Sequence, residues 1–447
     1  MFIGNFLYER QRTVGSTCAY LERQDFYKKK KGVFIMKKKL WIIALAAVIG
    51  FSMAACDALS GTDKGDDGTP GANNGSDKGG NYESGFTTIE AFEAWLSKQS
   101  ANTTAAAYNV KLKGDFKNTS YKVRDILKDN STKYVKLDLP NCIFSSFVGA
   151  FADCTSLTGI ILPNNWDNIQ GEIFSGCTNL TTLNIPDNIT YMFGGAFSGS
   201  YITSITIGRG INDIAGHEFR WNAAFENCTS LTSVTIIGNE NTSISARAFE
   251  GCINLASVTV QNGKDINGFQ GCTGLTNVTI GNGVKSIADY VFSGCTGLTS
   301  VTIGSGVTSI GQGAFYNCTA LTDITIPNSV TEIKAGWELS GDKGAFEKCT
   351  GLTRITLGNN ISSLGRNTFN GCTSLASITI PSSVTSIGNY VFSGCTSLTS
   401  VTFEGTVSDL GNQYYNPSFP GDLRDKYLDG GPGTYTRSSG SDTWTKQ

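Results

Sequence analysis

One phrase is repeated along most of this chain. Residues 288–303 read ADYVFSGCTGLTSVTI, and residues 388–403 read GNYVFSGCTSLTSVTF. Alignment on the cysteine of the Phe-x-x-Cys motif gives eleven copies, with Ser200 in place of the cysteine in one of them. The other ten carry Cys154, Cys177, Cys228, Cys252, Cys272, Cys295, Cys318, Cys349, Cys372 and Cys395. The commonest spacing is 23 residues, as from Cys272 to Cys295, so the chain is built from one small unit used many times.

Each copy contains one short alternating segment. In LASITI, Ile378 and Ile380 share one face and polar residues share the other, as in a half-buried β-strand, and Pro381 and Gly388 then turn the chain back. Six or seven apolar side chains per copy, worth about 1.5 to 3 kcal/mol each, cannot offset the conformational entropy of some 23 ordered residues at roughly 1 to 2 kcal/mol each. The copies must therefore stack around a shared core.

A period of 20 to 29 residues with this Leu-x-x-Val/Ile-x-Ile pattern predicts a leucine-rich repeat solenoid. We expect a mostly β, α/β-class, right-handed solenoid of about eleven 23-residue repeats over residues 136–403. Residues 86–135 are predicted to form a small helical N-terminal cap, with Thr88 as the N-cap of a helix that buries Phe92 and Leu96. Residues 404–447 are predicted to form a C-terminal cap from a short helix and either a hairpin or an irregular closing piece.

A processing signal precedes the repeats. Residues 36–56 read MKKKLWIIALAAVIGFSMAAC, which resembles a bacterial lipoprotein signal that is cleaved before a lipid-modified cysteine, here Cys56. The alternative is an uncleaved membrane anchor, but the apolar run is shorter than the roughly 20 residues that a span needs. Residues 1–35 fit no signal, so Met36 is the predicted initiator, and residues 56–85 are predicted to be a disordered tether rich in Gly, Asp and Asn.

Composition argues against several classes of function. The net charge is −2 and only 16% of residues are charged, so the chain has no basic footprint for nucleic acid. His217 is the one histidine, which excludes a histidine-based catalytic triad or a multi-histidine metal site. The repeat cysteines leave neighbouring turns as parallel vectors, so we interpret them as free, buried thiols, not as disulfides or metal ligands. We expect no enzyme activity, no cofactor and no bound metal.

Two features are candidates for binding. The outward strand positions, such as Ser233 with Thr235 and Ser257 with Thr259, are predicted to form two columns of hydroxyl groups, which could bind a ligand or ordered water or could simply be soluble strand residues.

The second feature is a pair of insertions. Regular copies place five residues from the trailing Ile to the Phe, whereas Ile214 to Phe225 spans eleven and Ile333 to Phe346 spans thirteen.

Insertions in a solenoid emerge as loops, and these two should project from the same side. They offer aromatic and charged side chains on an otherwise bland surface: His217, Phe219, Arg220, Trp221, Trp337 and Glu338. Exposed aromatic residues with arginine are typical of protein interfaces, so these six are the candidate binding residues. The alternative is that each loop folds its aromatic side chains back onto the solenoid wall.

Residues 298–333, LTSVTIGSGVTSIGQGAFYNCTALTDITIPNSVTEI, resemble the BspA-like leucine-rich repeat family, and the resemblance covers about residues 134–403. Ser200, the shortened copy that ends at Cys272 and the two enlarged copies depart from its pattern. The resemblance implies a lipid-anchored surface protein of the bacterial envelope, often an adhesin for extracellular-matrix or bacterial surface proteins. We expect a monomer on the outer-membrane surface; the alternative is a structural scaffold in the periplasm or outer membrane.

Overall fold

The structure is a computed structural model, and it describes residues 83–116, 120–139, 142–143, 149–215, 223–334, 343–411 and 418–447. All of these lie in one compact unit, Asp77–Gln447. The described part is a mostly β, parallel solenoid of about 13 turns with a spacing near 23 residues, as the repeat pattern predicts. None of the helices in these ranges is long and apolar enough to cross a membrane.

Each of the eleven copies contributes one strand to a first row, which follows the Leu-x-x motif. The first-row strands are β4 (Leu157–Ile161), β6 (Thr182–Ile185), β8 (Ser204–Ile207), β10 (Ser233–Ile236), β12 (Ser257–Ile266), β13 (Asn277–Ile287), β14 (Ser300–Ile303), β16 (Asp323–Thr325), β18 (Arg354–Thr356), β20 (Ser377–Ile380) and β22 (Ser400–Phe403). Successive first-row strands that pair are parallel and place equivalent residues opposite one another, as with Val234 and Val258.

A second row of short strands follows the trailing Val-x-x-Ile segment. Its members are β5 (Asn168–Ile169), β7 (Tyr191–Met192), β9 (Asp213–Ile214), β11 (Ser243–Ile244), β15 (Ser309–Ile310), β17 (Glu332–Ile333), β19 (Ser363–Leu364) and β21 (Ser386–Ile387). Strands β12 and β13 continue around the corner and belong to both rows. The second row is also parallel, and its last residue in each copy is buried, as with Ile244 and Ile287.

The N-terminal region contains more than the expected helices. Helix α1 (Ile89–Ser97) begins where predicted, and its N-cap Thr88 accepts a hydrogen bond from the Ala91 amide at 3.2 Å. A 3-10 turn (Thr104–Ala106) and helix α2 (Ser120–Asp129) follow. The structure adds strands β1 (Glu83–Phe86) and β2 (Tyr108–Leu112), which pair in parallel with β3 (Val135–Asp138) and β4. The N-terminal region, expected from the sequence to be a small helical cap, therefore contains parallel strands as well as helices.

The C-terminal segment covers the last turn. Helix α3 (Leu423–Gly430) and the hairpin of β23 (Gly433–Thr436) and β24 (Thr445–Lys446) match the predicted short helix and hairpin. Strand β23 pairs antiparallel with β22 and so reverses the direction of the sheet. Tyr435 and Trp444 are buried, and this pairing satisfies the backbone groups that the last repeat strand would otherwise leave open.

Phenylalanine rings form the centre of the core. Twelve of them, one per copy and one from the C-terminal segment, stack from Phe151 to Phe419 with successive centroids 4.7 to 5.8 Å apart. The residue at this position touches its counterparts in both neighbouring copies. Every copy carries Phe at this position because its ring must stack on the Phe rings of the neighbouring copies.

The repeat cysteines lie beside this column. Nine of their thiols donate to the carbonyl oxygen of the phenylalanine one copy earlier, with Sγ to O distances of 2.9 to 3.7 Å. All eleven cysteines in the described ranges are free and buried, which confirms the interpretation of the ten repeat cysteines as packed thiols. Ser200 keeps its place in this series, with its Oγ 3.6 Å from Cys228 Sγ.

Candidate interaction surfaces

The first-row strands present two columns of small polar side chains. Thr206, Thr235 and Thr259 stand opposite one another, and the same column continues through Thr279 and Thr302. The neighbouring column consists mainly of serines, and the Val and Ile residues between the columns are buried except for Val301, which is partly buried. Neighbouring strands lie about 4.8 Å apart, so the predicted hydroxyl columns form a regular array with few charges.

One charged pair interrupts the serine column. Asp323 of β16 stands opposite Arg354 of β18, and Arg354 Nε lies 2.6 Å from Asp323 Oδ2. Both side chains are exposed, so the pair marks one place on the face without adding much stability. This charged pair could have been recognised from the sequence, because both residues occupy the position at which most copies carry Ser.

The second row presents a different set of side chains. At one end, the rings of Tyr191 and Phe193 meet edge to face with centroids 4.5 Å apart, and Phe193 is 44% exposed. On the next strand, the Asp213 carboxylate accepts hydrogen bonds from Tyr191 and from Ser245, whose Oγ is 3.3 Å away. Burial raises the pKa of Asp213, although these two hydrogen bonds favour the ionised form.

A notch of about 370 Å³ interrupts the edge that follows the second row. Its cause is a deletion: Ile266 to Phe269 spans three residues, where the flanking copies place five, as from Ile287 to Phe292. Gly268 makes the short connection possible. Its φ is +96°, and a Cβ there would lie 2.8 Å from the Ser245 carbonyl oxygen.

Polar side chains line the notch. Ser243, Ser245 and Ser286 supply hydroxyl groups, Asn267 supplies an amide, Asp265 and Asp289 supply carboxylates, and Lys334 supplies an ammonium group. Lys334 Nζ lies 3.6 Å from Asp289 Oδ1, and the Asp289 carboxylate also accepts a hydrogen bond from the backbone amide of Gln312 at 3.1 Å. The Asp265 carboxylate is exposed, and no described residue donates to it.

Nine of the ten repeat thiols are poorly suited to nucleophilic chemistry, and at the tenth, Cys228, a hydrogen bond with the Cys252 side chain lowers the pKa of a thiol that is buried. Burial raises the pKa of Cys272, Cys349 and Cys395 to about 12, so these groups are neutral at physiological pH. Within the ranges that the structure describes, no group of three or more His, Cys, Asp or Glu side chains is placed to hold a metal ion. The thiols therefore act as packing and hydrogen-bonding groups of the core.

The six candidate loop residues, His217, Phe219, Arg220, Trp221, Trp337 and Glu338, lie outside the described residues, as does the candidate lipidation site Cys56. The base of the first insertion is described: the Ala224 amide donates to the Ala215 carbonyl oxygen at 3.0 Å, so the chain leaves and returns at one point. Sequence order places the notch between the two insertions, on the copies that separate Ile214 from Ile333.

The BspA-type leucine-rich repeat model matches residues 116–223, 148–267, 221–337 and 342–418, which together are more than half of the 447 residues. The chain belongs to this family. Repeat proteins of this kind are generally non-catalytic binding scaffolds, leucine-rich repeat folds generally mediate protein–protein binding, and members of this family are associated with bacterial cell surfaces. No functionally curated protein shows significant similarity to the chain.

Several solved structures are similar to this member of the family. A leucine-rich repeat protein from Bacteroides ovatus is 27% identical, with 62% of this chain and 75% of that chain covered and a TM-score of 0.40. A leucine-rich cell surface protein from Faecalibacterium prausnitzii is 24% identical, with coverage of 54% and 83% and a TM-score of 0.22. A leucine-rich repeat protein from T. pallidum is 20% identical, with coverage of 56% and 88% and a TM-score of 0.29.

Proposed function

We propose that this protein is a non-catalytic binding module of the bacterial cell surface, an adhesin for extracellular-matrix proteins or for proteins on other bacteria. The observation that carries the proposal is the first-row face. It repeats the same outward-facing, half-buried or exposed Ser and Thr positions in register from copy to copy, so it offers a long surface with almost no charge. Such a face favours contact with a large partner over enclosure of a small substrate.

The absence of strong charge also determines the kind of binding. Electrostatic steering raises association rates where complementary charges face each other, and the hydroxyl columns provide none. Specificity must then come from local departures from the repeat. The two insertions are the proposed places, because they bring Trp221 and Trp337, which are typical interface residues, onto this otherwise uniform repeat.

Attachment to the membrane is the second part of the proposal. Residues 36–55 act as the lipoprotein signal, Cys56 becomes the lipid-bearing N-terminus, and residues 56–85 serve as the tether. One acyl chain gives only marginal binding to a bilayer, so stable attachment needs two or more, which a modified N-terminal cysteine can carry. The tether of about thirty residues would hold the solenoid roughly 30 Å from the lipid surface.

Protease treatment of intact cells tests the surface location. Cleavage of the protein by an added protease, with a periplasmic marker left intact, is the expected result. Protection until the cells are opened would instead favour a structural scaffold in the periplasm. The binding function is tested by capture of matrix and bacterial-surface extracts on the purified mature protein, with elution of a defined partner that rebinds in purified form as the expected result.

A further inference from the structure

The notch combines shape and chemistry in a way that the repeat alone does not produce. Regular copies have a spacing of five residues from the trailing Ile to the Phe, whereas the copy that ends at Cys272 lacks two of these residues. Ala246 and Ala288 flank the gap from the neighbouring copies, so small side chains leave it open. The result is a recess along this edge of the described solenoid.

The lining selects among ligand types. A neutral polyol both donates and accepts hydrogen bonds at each hydroxyl. The carboxylates of Asp265 and Asp289 can accept from such hydroxyls, and the side chains of Ser243, Ser245 and Asn267 can both donate and accept. An anionic ligand would meet two carboxylates, and the nearby cation, Lys334, is already paired with Asp289. The lining of the notch is more polar than apolar, which favours a polar ligand over a hydrophobic one.

An aromatic pair lies on the same row. Tyr191, Asp213, Ser243 and Asp265 stand opposite one another on successive strands, which places the Tyr191–Phe193 pair three strand steps from the notch. That separation is roughly 14 Å at 4.8 Å per step. The exposed ring of Phe193 can pack against the C–H face of a sugar ring, while Asp213 provides an acceptor between the pair and the notch.

We propose that the second row binds a neutral oligosaccharide, with the notch around Asp265 as the polar subsite and Phe193 as the stacking subsite. The saccharide lies across the strands, along the solenoid axis, because the aromatic pair, Asp213 and the notch follow one another in that direction. This site lies on the second row and not on the first-row face proposed above, and it does not require that function.

Isothermal titration of the full mature protein against neutral linear hexasaccharides of glucose, galactose, mannose and N-acetylglucosamine tests the proposal. At least one sugar is expected to bind with a Kd of 1 mM or tighter, and Asp265→Asn and Phe193→Ala are each expected to weaken it at least tenfold. Ala246→Gln, which fills the notch without removing a polar group, is expected to abolish binding. Asp409→Asn is the control for a change of charge on the same row, because Asp409 is an exposed aspartate at the far end of the row, where its carboxylate accepts from the Ser386 hydroxyl at 3.0 Å.

Three results would overturn the proposal. The first is no binding of any hexasaccharide at 10 mM. The second is binding that survives both Asp265→Asn and Ala246→Gln. The third is binding of an anionic hexasaccharide or of a polyamine in place of the neutral sugars. Circular dichroism melting of each variant separates loss of the site from loss of the fold. Failure here would leave capture of a protein partner unaffected, so the two proposals fail independently.

Discussion

The phenylalanine column should be the most sensitive part of the fold, and Phe249→Ala tests it. The Phe249 side chain is 0% exposed, and its ring centroid lies 4.7 Å from those of both Phe225 and Phe269. Removal of a buried aromatic ring costs about 3 to 5 kcal/mol through lost transfer free energy and the cavity left behind. Each stacked pair adds about 0.5 to 1.5 kcal/mol beyond buried area, so we expect the upper half of that range.

The copies contact only their neighbours, so the loss falls on the two interfaces around one turn. Urea unfolding followed by circular dichroism measures the change in the free energy of unfolding, and a second transition would show that the solenoid divides at this turn. Phe249→Leu keeps an apolar side chain and should cost about 1 to 2 kcal/mol. Ile253→Ala, at a side chain that is 52% exposed in the same copy, is the control and should stay within about 0.5 kcal/mol.

A cost of Phe249→Ala below about 1 kcal/mol, or one equal to that of Ile253→Ala, would refute the reasoning. It would mean that the neighbouring rings close the gap at little cost, and that the column is a by-product of repetition and not the element that joins the turns. A large cost for Phe249→Leu as well would show instead that ring stacking matters more than volume.

Three further outcomes follow from the chain. Burial raises the pKa of Cys349 from 9.0 to about 12, so above pH 9 the unfolded chain loses the thiol proton while the folded chain keeps it. The free energy of unfolding should therefore fall as the pH rises from 9 to about 12. The slope should be at most about 1.4 kcal/mol per pH unit for each thiol. Cys349→Ala should flatten that slope in urea unfolding between pH 8 and 10.5, and an unchanged slope would contradict the assignment. Cys56→Ser should move the protein from the detergent phase to the aqueous phase, and unchanged partitioning would reject the lipid anchor. Replacement of Trp221 and Trp337 by Ala should lower the affinity for a captured protein partner more than it lowers the melting temperature; equal binding with a lower melting temperature would show that the loops are structural.

The repeat made most of the fold predictable. Alternation such as Ile378 and Ile380 identifies the first row, and the fixed position of the cysteines excludes disulfides, because every thiol meets the same neighbours in every copy. The N-terminal strands were harder to recognise. Val110 and Leu112 alternate as in other first-row strands, but the β2 segment lacks the Phe-x-x-Cys motif that marks a copy, so only the helices around it were visible.

The surfaces were less predictable than the core. The hydroxyl columns follow from the register, since equal spacing brings equal positions together. The notch follows from a missing pair of residues, which the spacing from Ile266 to Phe269 already showed, but its lining comes from several copies at once. Lys334 reaches Asp289 from the second copy along, and no pattern within one copy indicates such a contact.

The position of the irregularities explains how this chain can vary its surface without losing its core. Both insertions and the deletion fall between the second row and the next Phe, after Ile214, Ile266 and Ile333. The phenylalanines that follow them, at 225, 269 and 346, are nevertheless fully buried and remain in the stack, with centroids 4.7 to 5.8 Å from the preceding and following rings. Because each connection borders only its neighbouring copies, a change in its length alters the local surface and leaves the column continuous. Selection for a ligand can therefore act on these connections with little cost in stability, which is the physical reason that we place both proposed specificity elements, the loops and the notch, along this one edge.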